Sequence, residues 1–557
     1  MTDGTLLPPR APAISGATDA ALRALTRRFR VAVRLTVLVL VAALGDRIPG
    51  VPLAYIAPPR FWIWFQLVLS IPIVLWSGAP LYRHAWRSTT RGRPDRFLSI
   101  SLAVAGVWIY SVIAVLRPGF FGEPYRDESG LVRVYFEVAT VIVTLTLVDW
   151  LVEARSLARP AAAIGALLKL VPKTTRRLRP DGLEEDAPVD AVRPGDAVRV
   201  WPLETVPLDG VVIEGSGAVD ESKIGGEATP VEKKPGDRVF GGASNCGGAL
   251  VVRVEAAAGD QLLTRYARLL TDALRSRAPI ERLVDRWAGW LVPAAVVIAV
   301  ATFAAWTNLG PEPRLALATL SAAAVLVVAS SSALGLATSM PMAEAVARGA
   351  KEGILFSSRS AVERLRDADT LVLAAVPPVG AGDVATLRAL KAAGLRLVLW
   401  TSKGFASVAA EVGVEEAPVP ASLDRKVAAV KELQSEGRRV AMVGNDADDA
   451  PGLAQSVVCI AMGTGSGVAI ESADITLVKG DLRGILRARR LSQATLRNVK
   501  QNLFFAFIYN ALGVPIAAGV LYPYFGILLD PMIAAAAMSL SSVSVIVNAL
   551  RLRLARI

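Results

Sequence analysis

Residues 439–463 read RVAMVGNDADDAPGLAQSVVCIAMG, and this stretch decides the fold of the soluble block around it. Two apolar runs in it, Arg439–Val443 and Val458–Ala461, have the length and composition of buried β-strands. An acidic turn, residues 444–449, follows the first run. Because neighbouring parallel strands need a crossover between them, this order predicts two strands of a parallel sheet.

The alternation of strand and helix patterns continues on both sides, over residues 342–500. Helical patterns lie between the apolar runs, as in Asp383–Ala393 and Asp424–Glu436. The further strand runs are Thr370–Val376, Arg396–Trp400 and Ile475–Val478. Strands that alternate with helices predict a doubly wound parallel sheet, so we expect an α/β domain here.

A second soluble block, residues 154–286, has a different pattern. Short apolar runs with Gly and Pro between them predict a β-rich domain. These runs are Ala197–Val200, Asp209–Ile213 and Leu250–Val254. The sequence therefore predicts two soluble domains of different class.

The composition excludes several classes of protein. Of the 557 residues, 53% are apolar and 20% are charged, which is too apolar for a disordered chain and rare for a soluble one. Two cysteines, Cys246 and Cys459, exclude a disulfide scaffold and a Cys-rich metal site. The single histidine, His84, excludes a His-ligated metal centre and a His-based triad. The net charge of +12 fits basic loops beside anionic lipid better than nucleic-acid binding.

Eight apolar stretches are candidates to cross a bilayer, for which about 20 residues are needed. They are Val31–Leu44, Phe61–Leu81, Phe97–Leu116, Tyr135–Val152, Trp287–Trp306, Leu315–Leu336, Leu503–Leu521 and Tyr524–Val547. Four fall in residues 31–153, two in 287–341 and two in 501–557, which end in a basic C-terminus. Residues 1–30 are expected to form a disordered arm.

The basic residues beside the spans predict the orientation of the chain. The loop Tyr82–Arg96 carries five arginines, whereas the loop Pro118–Leu131 is mainly acidic. The arginine-rich loop is therefore expected inside, and an even number of spans places both termini in the cytoplasm. The expected location is the cell membrane, with the protein crossing it several times in contact with lipid.

Ordered motifs along the chain resemble those of the heavy-metal P-type ATPases, and in particular the copper-exporting branch. The segments similar to the actuator domain are GD at 195–196, VPLDGV at 206–211, VDES at 219–222, GE at 226–227 and GD at 236–237. The segment similar to the metal-site helix is ALGLAT at 333–338. Those similar to the phosphorylation domain are AMVG at 441–444, DAP at 449–451 and IAMG at 460–463. Those similar to the last two spans are YN at 509–510 and MSLSS at 538–542. The resemblance implies a polytopic α-helical membrane protein with a β-rich actuator domain, here called the actuator block (residues 154–286). It also implies a haloacid-dehalogenase-like, Rossmann-type α/β domain, here called the phosphorylation block (residues 342–500).

The phosphorylation block departs from the family at the residues that carry ATP chemistry. The family's phosphate acceptor is an Asp after the first strand of the block, and Ala374 stands there in this sequence. Only Ala375–Trp400 separates this point from Thr401, where the family inserts a nucleotide-binding domain. In the magnesium loop, Asn445 replaces a carboxylate. The family uses ATP and Mg²⁺, but no cofactor is expected to bind this chain.

Several family positions are kept without their partners. Gly226 and Glu227 match the loop that directs water to the aspartyl phosphate, which this chain cannot form. Lys426 matches a phosphate-facing lysine and is expected to pair with a carboxylate such as Asp449. Since the nucleotide domain is missing, we expect the two soluble blocks to pack directly, with Glu227 near Ala374 or Lys426.

The membrane part resembles the copper branch only in part. Ser330-Ser331-Ser332 stands where the family has Cys-Pro-Cys, so the soft thiolate ligands for Cu(I) are replaced by hydroxyls and no Pro interrupts the helix. The serines either form a polar site for another ion or bond to the preceding turn of their own helix. Other positions that match family metal ligands are Tyr509, Asn510, Met538, Ser541, Ser542, Glu137 and Asp285. Arg96 stands where the family has a methionine on the entry path.

These features predict an inactive copper-ATPase-like protein with a regulatory, binding or assembly role in metal handling. Two alternatives remain, which are a cation pump with non-standard chemistry and a passive membrane conduit. The resemblance suggests a cuproprotein, a metallochaperone or a pump as partner. Arg87, Arg91 and Arg93 match the family's chaperone platform, but they also satisfy the positive-inside rule.

Overall fold

The computed structural model describes residues 16–45, 56–92, 94–127, 130–168, 172–179, 181–221, 230–330, 332–374, 381–401, 410–418, 423–463 and 467–555. The chain divides into two compact units. The first contains the membrane helices and comprises Met1–Leu157, Ile280–Met340 and Asn498–Leu550. The second contains both soluble blocks and comprises Ala158–Pro279, Pro341–Arg497 and Arg551–Ile557.

Helices build the first unit. In its first third they are α1 (Gly16–Leu44), α2 (Pro59–Ile71, continued by a π-helical turn Pro72–Ser77), α3 (Ala79–Thr90), α4 (Arg96–Leu116) and α5 (Phe136–Leu168). After the actuator block and its helix α6 (Leu262–Arg275) come α7 (Pro279–Leu309), α8 (Arg314–Ala329) and α9 (Ala333–Lys351).

The phosphorylation block contains α10 (Arg359–Asp367), α11 (Ala381–Ala392), α12 (Leu423–Ser435), α13 (Ala450–Gln455) and α14 (Gly467–Ser472). The chain ends with α15 (Leu482–Ala518), α16 (Tyr522–Phe525) and α17 (Pro531–Leu550).

Six helical segments in the described ranges are long and apolar enough to cross a membrane, whereas the sequence predicts eight. They are Pro59–Ser77, Arg96–Leu116, Leu262–Leu309, Arg314–Lys351, Leu482–Ala518 and Pro531–Leu554. The predicted spans Val31–Leu44 and Tyr135–Val152 lie within α1 and α5, which are not among the six. Both helices carry several charged side chains in or next to their apolar part, and this lowers their suitability as spans.

The predicted disordered arm, residues 1–30, is wrong from Gly16 onward, because α1 begins there. Leu25, Ala32 and Val39 of this helix are buried in the core of the membrane unit. They are seven residues apart, so they lie on one face over successive pairs of turns. The packing of this face explains why a segment with a polar start is helical.

The actuator block is β-rich, as predicted. Its strands are β1 (Thr174–Leu178), β2 (Glu184–Pro188), β3 (Ala197–Val200), β4 (Gly210–Glu214), β5 (Gly217–Asp220), β6 (Val231–Lys233), β7 (Arg238–Val239), β8 (Ser244–Asn245) and β9 (Leu250–Val254). They form a six-stranded sheet in the order β2-β1-β3-β9-β4-β7 and a three-stranded sheet in the order β6-β5-β8. The Asp209 carboxylate joins the larger sheet to α6, since it accepts hydrogen bonds from the N–H groups of Gly241 (2.7 Å) and Leu262 (2.6 Å).

The phosphorylation block has the predicted doubly wound fold. Its strands are β10 (Ile354–Phe356), β11 (Thr370–Leu373), β12 (Arg396–Thr401), β13 (Glu415–Pro418), β14 (Val440–Gly444), β15 (Val458–Met462) and β16 (Ile475–Leu477). They form one sheet in the order β10-β16-β15-β14-β11-β12-β13, in which β11 to β16 are parallel and β10 is antiparallel to β16. Residues 439–463 thus form two neighbouring strands, β14 and β15, as the opening motif predicts.

The two soluble blocks touch each other within the second unit. Helix α6 of the actuator block lies against β10 of the phosphorylation block. At the start of α10, the backbone N–H of Arg359 donates to Ser276 Oγ (2.8 Å), and its guanidinium donates to the carbonyl of Leu274 (2.8 Å). The direct contact expected from the sequence is therefore present at the end of α6.

Candidate functional site

The carboxyl edge of the phosphorylation sheet brings three predicted site residues together. Strand β11 pairs in parallel with β12 on one side and with β14 on the other. Ala374, Thr401 and Asn445 follow or end these strands, so they share one edge of the sheet. The N–H of Ala374 donates to the carbonyl of Val443 (2.9 Å), which fixes Ala374 beside the end of β14. This edge is where ligands bind in open parallel sheets.

The side chain at the end of β11 is a methyl group, which cannot accept a phosphoryl group. The carboxylate that belongs to this strand, Asp369, lies at its opposite end and accepts hydrogen bonds from the N–H of Arg439 (3.1 and 3.2 Å). It is therefore a structural contact at the other edge of the sheet. Residues 375–380 lie outside the described residues.

Lys426 and Asp449 form the ion pair that the sequence predicts. The ammonium Nζ of Lys426, in the first turn of α12, lies 2.7 Å from Asp449 Oδ1. The side chains are 13% and 5% exposed. Oδ2 of Asp449 accepts hydrogen bonds from the backbone N–H groups of Asn445 (3.0 Å) and Asp446 (3.3 Å). Both oxygens of this carboxylate are thus occupied by groups of the protein.

The loop after β14 carries three carboxylates, of which Asp449 is paired with Lys426, whereas Asp446 and Asp448 are exposed. Asn445 supplies an amide oxygen, Oδ1, which is buried and has no hydrogen-bond partner in the part of the chain that the structure describes. Across the described ranges, His, Cys, Asp and Glu side chains form no group of three that could hold a metal ion. Because Lys426 neutralises Asp449 and Asn445 stands in place of a carboxylate, this loop has fewer free oxygen anions for Mg²⁺ than the loop it resembles.

Gly226 and Glu227 of the actuator block lie outside the described residues. The prediction that Glu227 lies near Ala374 or Lys426 therefore stays a prediction. Thr401 ends β12, and the residues after it, 402–409, also lie outside the described ranges.

In the membrane unit, the helix is interrupted at the predicted serines although no Pro is present. α8 ends at Ala329 and α9 begins at Ala333, so the expectation of an unbroken helix is wrong. Ser330 caps the end of α8, because its hydroxyl donates to the carbonyl of Val327 (2.6 Å) and its N–H donates to the same carbonyl (3.1 Å). A serine hydroxyl that competes for the helix carbonyl can end a helix without Pro. For Ser330, the predicted bond to the preceding turn is present.

Ser332 has a different environment. Its hydroxyl donates to Asp149 Oδ2 in α5 (2.7 Å) and lies 2.6 Å from the hydroxyl of Ser542 in α17. Ser332 and Ser542 are buried, as is the neighbouring Ser541. These hydrogen bonds join three side chains, called here the Asp149 cluster: Asp149 in α5, Ser332 just before α9, and Ser542 in α17.

A second polar group lies one turn further along α5. The guanidinium of Arg96, at the start of α4, donates to Glu153 Oε2 in α5. The side chains are 20% and 13% exposed. The Nε2 atom of His84 lies 3.1 Å from Asp95 Oδ2, and its ring packs against Phe97. Arg96, which stands where the family has a methionine on the entry path, thus neutralises Glu153. Glu153 is not one of the predicted entry-path carboxylates, which are Glu137 and Asp285.

The other predicted metal ligands are not gathered into one site. Tyr509, in α15, is 46% exposed, whereas the adjacent Asn510 is buried and donates from Nδ2 to the carbonyl of Ala506 (2.9 Å). Met538, in α17, packs against the apolar core of the membrane unit. Glu137 lies in the first turn of α5, about 18 Å along the helix from Asp149. Asp285, in α7, is exposed.

Asp149 is the site residue that the motifs do not identify. It is the single carboxylate in the sequence of the apolar run Val138–Leu151. An isolated ionisable residue in such a run indicates a candidate site, so the sequence does contain a signal for Asp149. Motif matching passes over it, because it matches none of the family positions.

Comparison with known proteins gives concordant results. A sequence model of the P-type ATPase actuator domain matches residues 169–271. The silver exporting P-type ATPase of Salmonella typhimurium is 38% identical, with 100% of this chain and 83% of that protein covered. The copper-exporting P-type ATPase of Legionella pneumophila is 37% identical, with 99% of this chain and 91% of that protein covered. A solved structure of a zinc-transporting PIB-type ATPase in the E2.Pi state covers 94% of this chain and 99% of its own, with a TM-score of 0.48 and 20% identity.

The length of the alignment can be compared with the length of this chain. The match to the Salmonella protein runs over 683 positions, whereas this chain has 557 residues. The difference of 126 is the smallest number of positions in the relative that have no counterpart here. This chain is therefore shorter than its relative within the aligned region itself.

Proposed function

Because this chain belongs to the P-type ATPase family, with copper and silver exporters among its relatives, we propose that it is a pseudo-ATPase. It keeps the multi-pass membrane body and both soluble blocks of the family but does not form a phosphoenzyme. Its role in copper handling is then to bind, regulate or help assemble another protein. A cuproprotein, a metallochaperone or an active pump is the class of partner that fits.

The observation that carries this proposal is Ala374 at the carboxyl end of β11. The covalent step of the family needs a carboxylate nucleophile at that point, and a methyl group offers no lone pair. The N–H of Ala374 is bonded to Val443, so Ala374 is held at the position from which a nucleophile would act. Among the described residues at this edge of the sheet, Asp449 does not replace the lost carboxylate, since it is neutralised by Lys426.

The shortness of the stretch between β11 and β12 also supports the proposal of a pseudo-ATPase. Only Ala375–Trp400 joins the end of β11 to the end of β12, and the described part of this stretch, residues 381–400, contains one helix, α11. A loop, a helix and a strand do not make a nucleotide-binding domain. The 126 or more positions that the Salmonella relative has in excess are of the size such a domain needs.

The alternative is transport, because the relatives with the same body are exporters. Without a phosphoenzyme, transport would be passive or use another source of energy. The membrane unit lacks the soft thiolates that hold Cu(I), since both cysteines lie in the soluble blocks. Uptake of Cu(I) into proteoliposomes without ATP would favour this alternative.

The test of the pseudo-ATPase is phosphorylation of the purified full-length protein by labelled ATP and Mg²⁺, followed by an acid quench. We expect no label, with the Legionella copper exporter as positive control under the same conditions. Ala374→Asp should also remain unlabelled, because the nucleotide domain would still be missing. An acid-stable, hydroxylamine-sensitive label on the unmodified protein would overturn the proposal.

A further inference from the structure

Two arginines of α1 meet the π-helical turn that continues α2 in the membrane unit. The guanidinium groups of Arg27 and Arg28 lie over the indole ring of Trp76, with their Cζ atoms 6.0 and 4.8 Å from the ring centroid. Arg28 also donates a hydrogen bond to the backbone carbonyl of Trp76. That carbonyl is available because residue 80, which would bond to it in an α-helix, is a proline and has no N–H. Arg28 therefore joins α1 to the end of the α2 segment.

The positive charges at this point repel one another. Among the described residues, the charged groups that act on Arg28 are Arg83, in α3, and Arg27, and neither is a carboxylate. The side chains of Arg27 and Arg83 are exposed. The positive-inside rule accounts for the sign of these charges, but it does not explain why three guanidinium groups lie near one another. An anion bound between them would relieve the repulsion.

The outer face of α1 indicates the level of the bilayer. The exposed side chains Arg27, Arg30 and Arg34 follow one another at intervals of three and four residues, so they lie on one face of the helix. The same spacing continues with Val37 and Val41, which are also exposed. A face that changes from arginine to valine passes from the headgroup layer into the hydrocarbon, so the arginines lie on the headgroup side.

Trp76 indicates the same level independently of α1. Its side chain is 40% exposed and lies one residue before the end of Pro59–Ser77, a segment long and apolar enough to cross a membrane. Tryptophan at the end of a span lies at the boundary between the hydrocarbon and the headgroups. An acidic protein would reach the arginines from the water, whereas an exposed indole at this depth contacts lipid. The surroundings of the arginines therefore favour a lipid as the source of the anion.

From these observations we propose that Arg27, Arg28 and Arg83, together with Trp76, bind the headgroup phosphate of one anionic phospholipid. Guanidinium groups bind phosphate oxygens with two parallel hydrogen bonds, which makes arginine well suited to this contact. A zwitterionic lipid fits less well, because its own ammonium group offsets the charge of its phosphate. The site does not include the arginines of residues 87–93 that match the family's chaperone platform. The inference goes beyond the proposed pseudo-ATPase, since it holds whether or not the chain hydrolyses ATP.

The test counts the lipid molecules bound to the full-length protein by native mass spectrometry from detergent. Phosphatidylglycerol and phosphatidylcholine with the same acyl chains are titrated in parallel. We expect one phosphatidylglycerol molecule to bind more tightly than all further ones, whereas phosphatidylcholine shows no such tight step. Glycerol phosphate, which is the headgroup without its chains, should not displace the tight lipid at the same total concentration. Displacement by glycerol phosphate would overturn the assignment to a lipid, because it would show a site for free phosphate.

Variants decide whether the tight lipid belongs to this site. Arg27→Gln with Arg83→Gln should weaken its binding about 25-fold, at about fivefold for each arginine lost beside an anionic headgroup. Arg28→Gln should also weaken it, while its amide can still donate to the Trp76 carbonyl. Arg60→Gln is the matched control, because Arg60 is an exposed arginine at the other end of the segment that carries Trp76, and it should bind the lipid as the unmodified protein does.

The outcomes that contradict the proposal are distinct. If Arg28→Gln does not fold, the double variant of the exposed Arg27 and Arg83 decides. Equal affinity of the unmodified protein for phosphatidylglycerol and phosphatidylcholine, or an unchanged affinity for phosphatidylglycerol in the double variant, overturns it. Binding of hexaglutamate without any preference for phosphatidylglycerol, lost in the double variant, would also overturn it, because the arginines would then recognise an acidic protein.

Discussion

At the scale of single residues, Lys426 and Asp449 form a buried ion pair at the carboxyl edge of the phosphorylation sheet. Their side chains are almost completely buried, and Asp449 also accepts two backbone N–H groups. A buried pair of this kind is stable only as a pair, because either charge left alone keeps the full cost of desolvation.

We therefore predict that Lys426→Met or Asp449→Asn alone lowers the opening free energy of β14 by about 3 kcal/mol, as expected for one partner lost from a buried pair. The double variant should lose clearly less than the sum of the two. Hydrogen–deuterium exchange of the β14 amides in the full-length protein measures this. Arg388→Met is the control, since Arg388 pairs with Glu411 at an exposed surface and should change stability by about 0.5 kcal/mol or less. Additive losses at 426 and 449 would show that the pair is not coupled.

The two thiols give a second prediction at this scale. Cys246 is exposed, whereas burial in β15 raises the pKa of the Cys459 thiol to about 11. Since the thiolate is the reactive form, a maleimide near pH 8 should label Cys246 at least about a hundredfold faster than Cys459. Cys246→Ser should remove the fast phase, and raising the pH towards 11 should speed the slow one. Two fast phases would mean that β15 opens readily.

The site residues show how far sequence alone leads. Ala374, Asn445 and the Lys426–Asp449 pair could be predicted, because each occupies a fixed place relative to a strand end. The role of Ser332 could not, because its partners Asp149 and Ser542 are far away in sequence and meet only when α5, α9 and α17 pack. Spacing predicts what one element presents, but it does not predict which elements meet.

At the scale of elements, strands were easier to predict than helix ends. β12, β14 and β15 lie within one residue of the predicted limits, because buried strands are short apolar runs with clear borders. The start of α1 was missed, since its first turns are polar and are held by the packing of Leu25 and later residues. The interruption after α8 was also missed, because it depends on Ser330 bonding to its own helix and has no proline to signal it.

This interruption leads to a prediction about copper. Ser330→Cys with Ser332→Cys places two thiolates within the gap between α8 and α9, so the double variant should bind Cu(I) much more tightly than the unmodified protein. Competition with a strong Cu(I) chelator measures it, in a Cys246→Ser background that removes the exposed thiol. A variant with Ser339→Cys and Ser544→Cys is the control, since these serines bond to their own helices. Equal affinities in the two variants would show that the interruption lacks the geometry of a copper site.

At the scale of the whole molecule, the proposed pseudo-ATPase would not bind the ligands that move the two soluble blocks of an active pump. Ligands shift conformations only through different affinities for them. In this sequence Ala374 stands where the family carries its phosphate acceptor, so an aspartyl phosphate at that position cannot drive such a shift. The contact of α6 with β10, and the bonds from Arg359 to Leu274 and Ser276, join the blocks without any ligand.

We therefore predict that the soluble blocks keep one arrangement whatever nucleotide is added. Hydrogen–deuterium exchange of α6 and β10 should be the same without ligand, with a non-hydrolysable ATP analogue and Mg²⁺, and with beryllium or aluminium fluoride. Arg359→Ala shows that the measurement is sensitive, because loss of the bond to the Leu274 carbonyl should speed exchange at the end of α6. The Legionella exporter, treated in the same way, serves as the ligand-responsive control. A change in α6 or β10 caused by nucleotide or fluoride in the unmodified protein would contradict the prediction, because it would mean that a phosphate-like ligand still moves the actuator block.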